Sequence, residues 1–425
     1  MGKYYPRIAD ELLKKKLQTF GAVLIKGPKW CGKTSTAEQQ AKSVLYMNDS
    51  ELQEQNIALA KSSPKNALEG ATPRLIDEWQ LVPTLWDAVR FEVDHRDTAG
   101  QFILTGSAIP ADLSKVHHSG IGRIASLTMR PMSLFESGDS SGEISLESLF
   151  DAPESISGIS NIDLDKIAFL CCRGGWPQTV GKDEDIALNL AEEYYRTLVE
   201  SDISRVDNIK RNPSFAAKLM RNYARAQGQQ ASLESLRNDT AGSDNTVLSI
   251  DTVYSYTEAL RNVYAIEDAD AWNPNLRSKT AVHTSNTRYF VDPSLATAAL
   301  SAGQGALIAD LKTFGFIFET LCIRDLRIYM DALNGKVSHY RDSSGLECDA
   351  VLHLKDGRYG LVQVKLGADS DSIKNGVEKL LALKNALDPA SVPMPSFMMV
   401  LTGNGAYAYR RDDGIYVIPI GCLKP

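Results

Sequence analysis

The stretch AVLIKGPKWCGKTSTAEQQA, residues 22–41, decides the fold of the N-terminal part of the chain. Residues 22–26 have the apolar composition of a buried strand, residues 27–34 fit the pattern GxxxxGK[ST], and a helical pattern begins at residue 34. Glycines allow a backbone to wrap closely around phosphate oxygens, and the unpaired N–H groups at the start of a helix attract anions. The order of strand, glycine loop and helix therefore predicts a phosphate-binding loop.

Two side chains of this loop suit a nucleoside triphosphate. Lys33 would reach the β and γ phosphates, and the Thr34 hydroxyl offers an oxygen ligand to Mg²⁺. ATP and Mg²⁺ are therefore the predicted cofactors. The loop residues predicted to bind the nucleotide are Gly27, Pro28, Lys29, Trp30, Cys31, Gly32, Lys33, Thr34 and Ser35. Trp30 either covers the phosphates or packs on the domain beneath it, and the sequence leaves this choice open.

Two carboxylates follow a second apolar strand, in the segment RLIDE at residues 74–78. Asp77 is predicted to hold Mg²⁺ through water, and Glu78 to polarise the attacking water as a general base. A third strand ends in Thr105 and Ser107 around a glycine, where a hydroxyl can sense the γ-phosphate. An ordinary strand-ending turn explains this tripeptide equally well.

Short apolar runs alternate with helical patterns as far as residue 142. The five predicted strands lie at residues 22–26, 44–47, 74–76, 102–105 and 124–129. Strands that alternate with helices form a parallel sheet that is covered on both faces. Residues 1–142 are therefore predicted to form an α/β domain.

Residues 143–305 form a mostly helical second region. Two short helical patterns, at residues 233–236 and 250–263, precede strand-like segments at residues 264–267 and 288–291. Two helices followed by a β-hairpin are typical of a winged helix, whose second helix can read DNA. Because that helix is not basic here, a packing role fits as well as DNA binding.

Residues 306–425 return to an α/β pattern that resembles the PD-(D/E)xK nuclease core. Glu319 on a helix, Asp349 on a strand and Lys365 at the end of the next strand occupy the expected positions. In such cores carboxylates bind Mg²⁺ at the scissile phosphate and the lysine positions water. Gln363 stands where the last acid is expected, so its neutral amide would weaken a metal site shared with the two carboxylates. An active nuclease and a degenerate binding core both stay open.

Nearly the whole chain resembles the bacterial and archaeal AAA-type P-loop ATPases in which an ATPase domain precedes a winged-helix-like segment and a restriction-endonuclease-like unit. The motifs that carry the resemblance are YPR at residues 5–7, GPKWCGKT at 27–34, IDEWQ at 76–80, LTGS at 104–107, RPMSLFE at 130–136, GGWP at 174–177 and YFVDP at 289–293. One departure is KWC at residues 29–31, which replaces a more usual arginine-polar-small stretch.

The resemblance implies roles for individual residues. The residues with implied catalytic or sensing roles are Lys33, Glu78, Thr105 and Ser107. Arg7 is expected to contact the nucleotide. Arg123 is expected to be an arginine finger, which a neighbouring subunit would supply to stabilise charge on the transferring phosphoryl group. Hydrolysis would then require a homo-oligomer, and a surface ion pair is the alternative role for Arg123.

The composition limits the classes of function. The 425 residues carry a formal net charge of −7, so any DNA contact would need a local patch rather than an overall basic field. The 6 cysteines show no spacing typical of zinc sites or disulfides, and no segment approaches the roughly 20 apolar residues of a membrane span. We expect a cytoplasmic ATPase coupled to DNA binding or processing. The alternative is a nucleotide-gated scaffold that turns over slowly and binds an unknown protein partner.

Overall fold

The computed structural model describes residues 3–107, 120–207, 209–241, 249–273, 285–342, 344–387 and 392–425. The chain forms two compact units, each assembled from three segments. The first unit consists of Met1–Pro131, Leu198–Arg211 and Tyr256–Ala265, and the second of Met132–Thr197, Asn212–Ser255 and Ile266–Pro425. The predicted division into three domains, with boundaries after residues 142 and 305, has different boundaries from these two units, and it stays a prediction.

The first unit contains a five-stranded parallel sheet. Its strands are β1 (Ala22–Lys26), β2 (Ser43–Tyr46), β3 (Arg74–Asp77), β4 (Phe102–Gly106) and β5 (Ile124–Thr128). The helices before and between them are α1 (Ile8–Thr19), α2 (Lys33–Glu38), α3 (Gln53–Ser62), α4 (Pro64–Ala67) and α5 (Leu85–Arg96), with a 3-10 turn at Trp79–Leu81. The strand order is β2-β3-β4-β1-β5, and every neighbouring pair is parallel. The five predicted strands and their parallel direction are confirmed.

Alternation along β1 explains why this sheet is covered on both faces. Ala22 and Leu24 pack into one apolar core, whereas Val23 and Ile25 pack into a second core on the opposite face. Successive side chains of a strand point to opposite faces of the sheet. A strand that is apolar at every position must therefore be covered by an apolar core on each face. All the strands run in one direction, and their carboxyl ends therefore meet at a single edge.

The remaining elements are mostly helical until the second sheet. The helices are α6 (Leu134–Ser137), α7 (Leu146–Leu149), α8 (Leu164–Arg173), α9 (Glu184–Thr197), α10 (Ile203–Arg205), α11 (Pro213–Arg225), α12 (Leu233–Ala241), α13 (Ile250–Asn262), α14 (Pro293–Leu300), α15 (Gln304–Ala309), α16 (Leu311–Ala332) and α17 (Ser370–Ala386). A π-helical turn, Leu198–Asp202, separates α9 from α10.

The second unit contains a seven-stranded mixed sheet. Its strands, with two short ones that pair separately, are β6 (Ile144–Ser145), β7 (Gly158–Ile159), β8 (Lys336–Arg341), β9 (Glu347–His353), β10 (Tyr359–Lys365), β11 (Phe397–Thr402), β12 (Tyr407–Arg410), β13 (Tyr416–Pro419) and β14 (Leu423–Lys424). The order in the large sheet is β7-β12-β13-β11-β10-β9-β8, and β14 pairs with β6. A turn at residues 355–358 joins β9 to β10, which are antiparallel.

The hairpin predicted for the winged helix is not formed as two strands. Between residues 264–267 and 288–291 the antiparallel pairing is limited to the isolated bridge of Ile266 with Phe290 and the hydrogen bond from the Glu267 N–H to the Tyr289 carbonyl. The Arg288 N–H donates to the Gln229 carbonyl, and the Arg288 carbonyl accepts from the Gly228 N–H. Alternate residues of an antiparallel strand bond to opposite sides, so these bonds join the segment before α12 to the other side of Arg288.

A buried ion triad joins three of the sequence motifs within the second unit. Arg324 lies 2.9 Å from Asp292 and 2.7 Å from Asp325, and all three side chains are at most 1% exposed. Asp292 also accepts from the Gly175 N–H at 2.9 Å, and Asp325 from the Leu134 N–H at 2.8 Å. Burial raises the pKa of Asp325 to about 6, although the arginine and the Leu134 N–H favour its ionised form. The motifs at residues 130–136, 174–177 and 289–293 therefore meet at one arginine.

The cysteines form no disulfide among the described residues, and all six of them are buried and free. Burial raises the pKa of the Cys172 thiol to about 12, so this thiol stays protonated and unreactive at neutral pH. Within the described ranges, no helix combines the length and the apolar character that crossing a membrane requires.

Candidate nucleotide-binding site

The predicted phosphate loop lies between β1 and α2, and two glycines shape it. Gly27 has φ 155° and Gly32 has φ 98°, in the region that favours glycine. A Cβ at Gly27 would lie 2.0 Å from the Met129 carbonyl oxygen, so only glycine fits there. Trp30 also has a positive φ, 62°, and its side chain is 38% exposed. A large part of the indole is therefore accessible at the loop surface.

Lys33 folds back across this loop. Its side chain is buried, and Nζ donates to the Gly27 carbonyl at 3.0 Å and to the Pro28 carbonyl at 2.7 Å. Both acceptors belong to the loop itself. These bonds hold a positive charge within the glycine loop, where the sequence predicts that phosphates bind.

Asp77 connects the loop to two strands. Its Oδ1 accepts a hydrogen bond from Thr34 Oγ1 at 2.7 Å and from Thr105 Oγ1 at 2.6 Å. The three residues come together because β3 and β4 end at the edge of the sheet where the loop after β1 lies. Hydroxyl and carboxylate oxygens are the ligands that Mg²⁺ prefers, so Thr34 and Asp77 fit the metal predicted for them.

Glu78 follows Asp77 in a left-handed conformation, with φ 57° and ψ 44°. Its backbone N–H donates to Thr105 Oγ1 at 3.3 Å, and its Oε2 accepts from Ser107 Oγ at 3.1 Å. Gln80 Nε2 donates to the same Oε2 atom. The sequence left open whether Thr105 and Ser107 sense the nucleotide or only form a turn. In the structure the Thr105 hydroxyl contacts both Asp77 and Glu78, and the Ser107 hydroxyl contacts Glu78. Gln80 was part of a motif but had no predicted role.

Arg7 supports the loop from its buried side. Its guanidinium donates to the Cys31 carbonyl at 2.6 Å and to the Arg130 carbonyl at 2.8 Å. Cys31 is buried, with its Sγ 3.6 Å from the Met129 carbonyl, whereas Ser35 is exposed on α2. The observed contacts of Arg7 thus position the loop backbone, and a direct contact with nucleotide stays a prediction.

An acid that no sequence motif indicates contacts the loop. Lys29 Nζ lies 2.6 Å from Asp202 Oδ1, and the Asp202 side chain is only 6% exposed. Asp202 ends the π-helical turn Leu198–Asp202, a rare geometry that is frequent at functional sites. The two residues are 173 positions apart, so no local spacing could reveal the pair.

Arg123 lies at the other edge of the same sheet. It directly precedes β5, and its carbonyl accepts from the Ala22 N–H at the start of β1. Its Nε donates to Asp94 Oδ1 at 2.7 Å, and its side chain is 48% exposed. Five residues of strand, on the order of 15 Å, separate this edge from the phosphate loop. The structure therefore does not bring Arg123 to the nucleotide site of its own chain.

Two of the predicted nuclease-like residues line one pocket of the second unit. Glu319 and Asp349 border a volume of about 30 Å³. The Tyr289 hydroxyl donates to Glu319 Oε1, and the Val364 N–H donates to Asp349 Oδ2 at 2.7 Å. Burial, reinforced by the charge of Asp349, raises the pKa of Glu319 well above its usual range.

The other two predicted residues, Gln363 and Lys365, do not line this pocket. Gln363 Nε2 donates to the Glu347 carbonyl at 3.1 Å, and its buried Oε1 has no hydrogen-bond partner in the described part of the chain. Burial lowers the pKa of Lys365. Among the described residues, no group of three or more His, Cys, Asp or Glu side chains is arranged to hold a metal ion. A Mg²⁺ site at these residues of the second unit therefore stays a prediction.

Comparisons with known proteins divide the chain into three matches. Residues 19–137 match the family model of an AAA domain, and residues 164–305 and 314–423 match two domains of unknown function, DUF8612 and DUF4143. No curated protein matches the chain. Among solved structures, the Walker-type ATPase of Pyrococcus abyssi is 15% identical, with a TM-score of 0.43 over 70% of this chain and 96% of that one.

Proposed function

We propose that this chain, in which residues 19–137 carry an AAA-type P-loop domain, binds ATP with Mg²⁺ and hydrolyses the nucleotide. The observation that supports this most is the pair of hydrogen bonds at Asp77, 2.7 Å from Thr34 and 2.6 Å from Thr105. They join the phosphate loop, the acid-bearing strand and the neighbouring strand into one site. The test is phosphate release from ATP with Mg²⁺ and with excess EDTA, and release that EDTA leaves unchanged would contradict the proposal.

Binding follows from the loop and its lysine. The backbone N–H groups of the loop and of the first turn of α2 face anions favourably, and Lys33 neutralises the β and γ phosphates. Thr34 and Asp77 hold Mg²⁺, which supplies further neutralisation of phosphate charge when it is bound. The remaining loop residues in the proposed site are Gly27, Pro28, Lys29, Trp30, Cys31, Gly32 and Ser35, with Arg7 behind them.

Hydrolysis requires a group that orients water and accepts its proton. Glu78 is placed for this role because it directly follows the metal-binding acid, and its carboxylate is anchored through Oε2 by Ser107 at 3.1 Å. Thr105 contacts both acids through one hydroxyl, donating to Asp77 and accepting from the Glu78 N–H. A change at the γ-phosphate that moves either acid is thereby transmitted to β4.

Arg123 is proposed to act on the nucleotide of a neighbouring copy. An arginine finger contributes about 10³-fold or more to phosphoryl transfer, so Arg123→Ala is expected to lower turnover by at least about 10³-fold at concentrations where the chain is oligomeric. Arg90→Ala is the matched control, because Arg90 pairs with the same Asp94 at 3.2 Å. Turnover per molecule that stays constant on dilution to a monomer, checked by light scattering, would contradict this role.

The C-terminal part is proposed to be a binding module that does not cleave DNA. The support is that Gln363 supplies no negative charge, and that its amide is bound to the Glu347 carbonyl at 3.1 Å. With Mg²⁺ or Mn²⁺, duplex, branched and single-stranded DNA should give no more product with wild type than with Asp349→Ala. Product in excess of that control would establish an active nuclease instead.

DNA binding and protein binding are separated by salt dependence. If α12 and α13 act as a winged-helix-like element that binds DNA, DNA should raise ATP turnover and added salt should remove the effect steeply. However, Arg261 on α13 is paired with Glu258 at 2.5 Å. This neutralised helix and the net charge of −7 favour a protein partner, for which DNA leaves turnover unchanged.

A further inference from the structure

Glu78 occupies a backbone conformation that its side chain does not favour. A left-handed conformation costs a residue with a Cβ about 1–2 kcal/mol relative to the right-handed one, and Glu78 has φ 57° and ψ 44°. This turn directs the carboxylate toward the 3-10 turn Trp79–Leu81 and the end of β4. The position of the carboxylate then depends on the donors that hold it.

Two donors hold the same oxygen of Glu78. Ser107 Oγ and Gln80 Nε2 both donate to Oε2. Among the described residues, no group donates to Oε1 of this carboxylate. A carboxylate fixed through one oxygen has a defined orientation and keeps the other oxygen available for a proton.

The orientation of the Gln80 amide follows from the charge of Glu78. With Nε2 toward the carboxylate, Oε1 is buried and has no hydrogen-bond partner among the described residues. A buried acceptor without a partner costs about 1–3 kcal/mol. The reverse orientation would place the amide oxygen against the negative carboxylate. Stability alone therefore does not explain a glutamine here, whereas a fixed Glu78 carboxylate does.

Gly106 provides the space for this glutamine. A Cβ at Gly106 would lie 3.1 Å from Gln80 Oε1 and 3.1 Å from Trp79 Nε1, closer than side chains normally pack. The glycine between Thr105 and Ser107 thus allows the amide to approach the end of β4. The motifs IDEWQ, at residues 76–80, and LTGS, at residues 104–107, therefore contact each other where Gln80 approaches Gly106.

We propose that Gln80 is a positioning residue for hydrolysis: it anchors Oε2 of Glu78 so that Oε1 takes the proton of the attacking water. The inference rests on the proposed ATPase function. It assigns to Gln80 no contact with the nucleotide, so ATP affinity should not depend on it. Loss of the amide should lower the rate of the chemical step alone.

The test compares Gln80→Leu and Gln80→Glu with wild type, with Gln55→Leu on the exposed face of α3 as the matched control. We expect Gln80→Leu to lower kcat by about 10- to 100-fold, because an acid that is free to rotate is a weaker general base. The Kd for ATP should stay within about twofold of the wild-type value. Loss of an interaction that is made only in the transition state lowers kcat and leaves the affinity for ATP unchanged. Gln80→Glu keeps the shape of the side chain but repels Glu78, so it should lower kcat at least as much.

A double-mutant cycle separates positioning from general structural damage. In a Glu78→Gln background, Gln80→Leu should cause no further loss in single-turnover assays, because the two residues act through one carboxylate. An equal loss in both backgrounds would overturn the proposal in favour of a structural role. Unchanged or increased kcat in Gln80→Leu would overturn it as well. A wild type that binds ATP without any turnover would instead contradict the ATPase function on which the inference rests.

Discussion

Lys33→Ala is expected to reduce ATP turnover by about 10²- to 10³-fold, because it removes a preorganised positive charge from the transferring phosphate. The structure holds the Lys33 ammonium inside the loop through the carbonyls of Gly27 and Pro28, at 3.0 and 2.7 Å. This geometry is set by the loop itself, so little reorganisation is required to meet a phosphate. ATP affinity should also fall, since the β phosphate is contacted in the ground state.

The measurement for Lys33 is phosphate release together with equilibrium binding of ATP. Lys42→Ala is the control, because Lys42 is exposed just after the same helix. Equal turnover in Lys33→Ala and Lys42→Ala would show that the loop does not bind the reacting phosphates. A loss of affinity without a loss of kcat would mean that Lys33 contributes to binding alone.

Arg324→Met is expected to lower the free energy of unfolding of the second unit by about 3–5 kcal/mol. The substitution leaves Asp292 and Asp325 buried without their counter-ion, and both side chains are fully buried. Removing one member of a buried ion triad lowers the free energy of unfolding by more than the intact triad contributes to it. The reason is that the remaining charges stay buried without solvation by water. The same two carboxylates hold the turns at Gly175 and Leu134, which should loosen together.

Urea unfolding monitored by hydrogen exchange of the peptides that contain Trp176 reports on this unit, since Trp176 Nε1 donates to Ser294 Oγ near the triad. Arg196→Met is the matched control, because the Arg196 side chain is 61% exposed and pairs only at the surface. The control should change stability by less than about 0.5 kcal/mol. A shift for Arg324→Met no larger than that of the control would show that the triad is not a stabilising element.

The nucleotide site could be predicted from the sequence because its signals are local. The strand, glycine loop and helix at residues 22–38 are continuous in the chain, and apolar runs placed all five strands of the sheet. The carboxyl ends of parallel strands share one edge, and this rule brings Asp77 and Thr105 to the loop without further information. The hydrogen bonds of Asp77 with Thr34, at 2.7 Å, and with Thr105, at 2.6 Å, agree with this expectation.

Contacts between distant segments could not be predicted in this way. The pairing of Lys29 with Asp202 joins residues 173 positions apart, and no spacing rule connects them. In the motif GGWP, Gly175 is required because a Cβ would lie 2.1 Å from the Met132 carbonyl. Such close approaches depend on tertiary packing and leave no periodic pattern in the sequence.

The predicted hairpin of the middle region is paired only at isolated antiparallel bridges. Residues 264–267 and 288–291 have strand-like composition, but composition does not say which other backbone a strand will meet. Arg288 bonds on its other side to the Gln229 carbonyl, a contact that the sequence does not indicate. In the C-terminal part, the sequence correctly placed the strands that carry Asp349 and Gln363, but it could not show that the glutamine amide bonds to the Glu347 carbonyl.

The most direct test of the account is single-turnover ATP hydrolysis by wild type and by Glu78→Gln, with ATP binding measured on both. The account predicts that both proteins bind ATP with similar affinity in the presence of Mg²⁺. Glu78→Gln should release phosphate about 10²- to 10⁴-fold more slowly, because an amide cannot accept the proton of water. Equal rates in the two proteins, or a wild type that binds ATP and releases no phosphate, would contradict an ATPase in which Glu78 is the base.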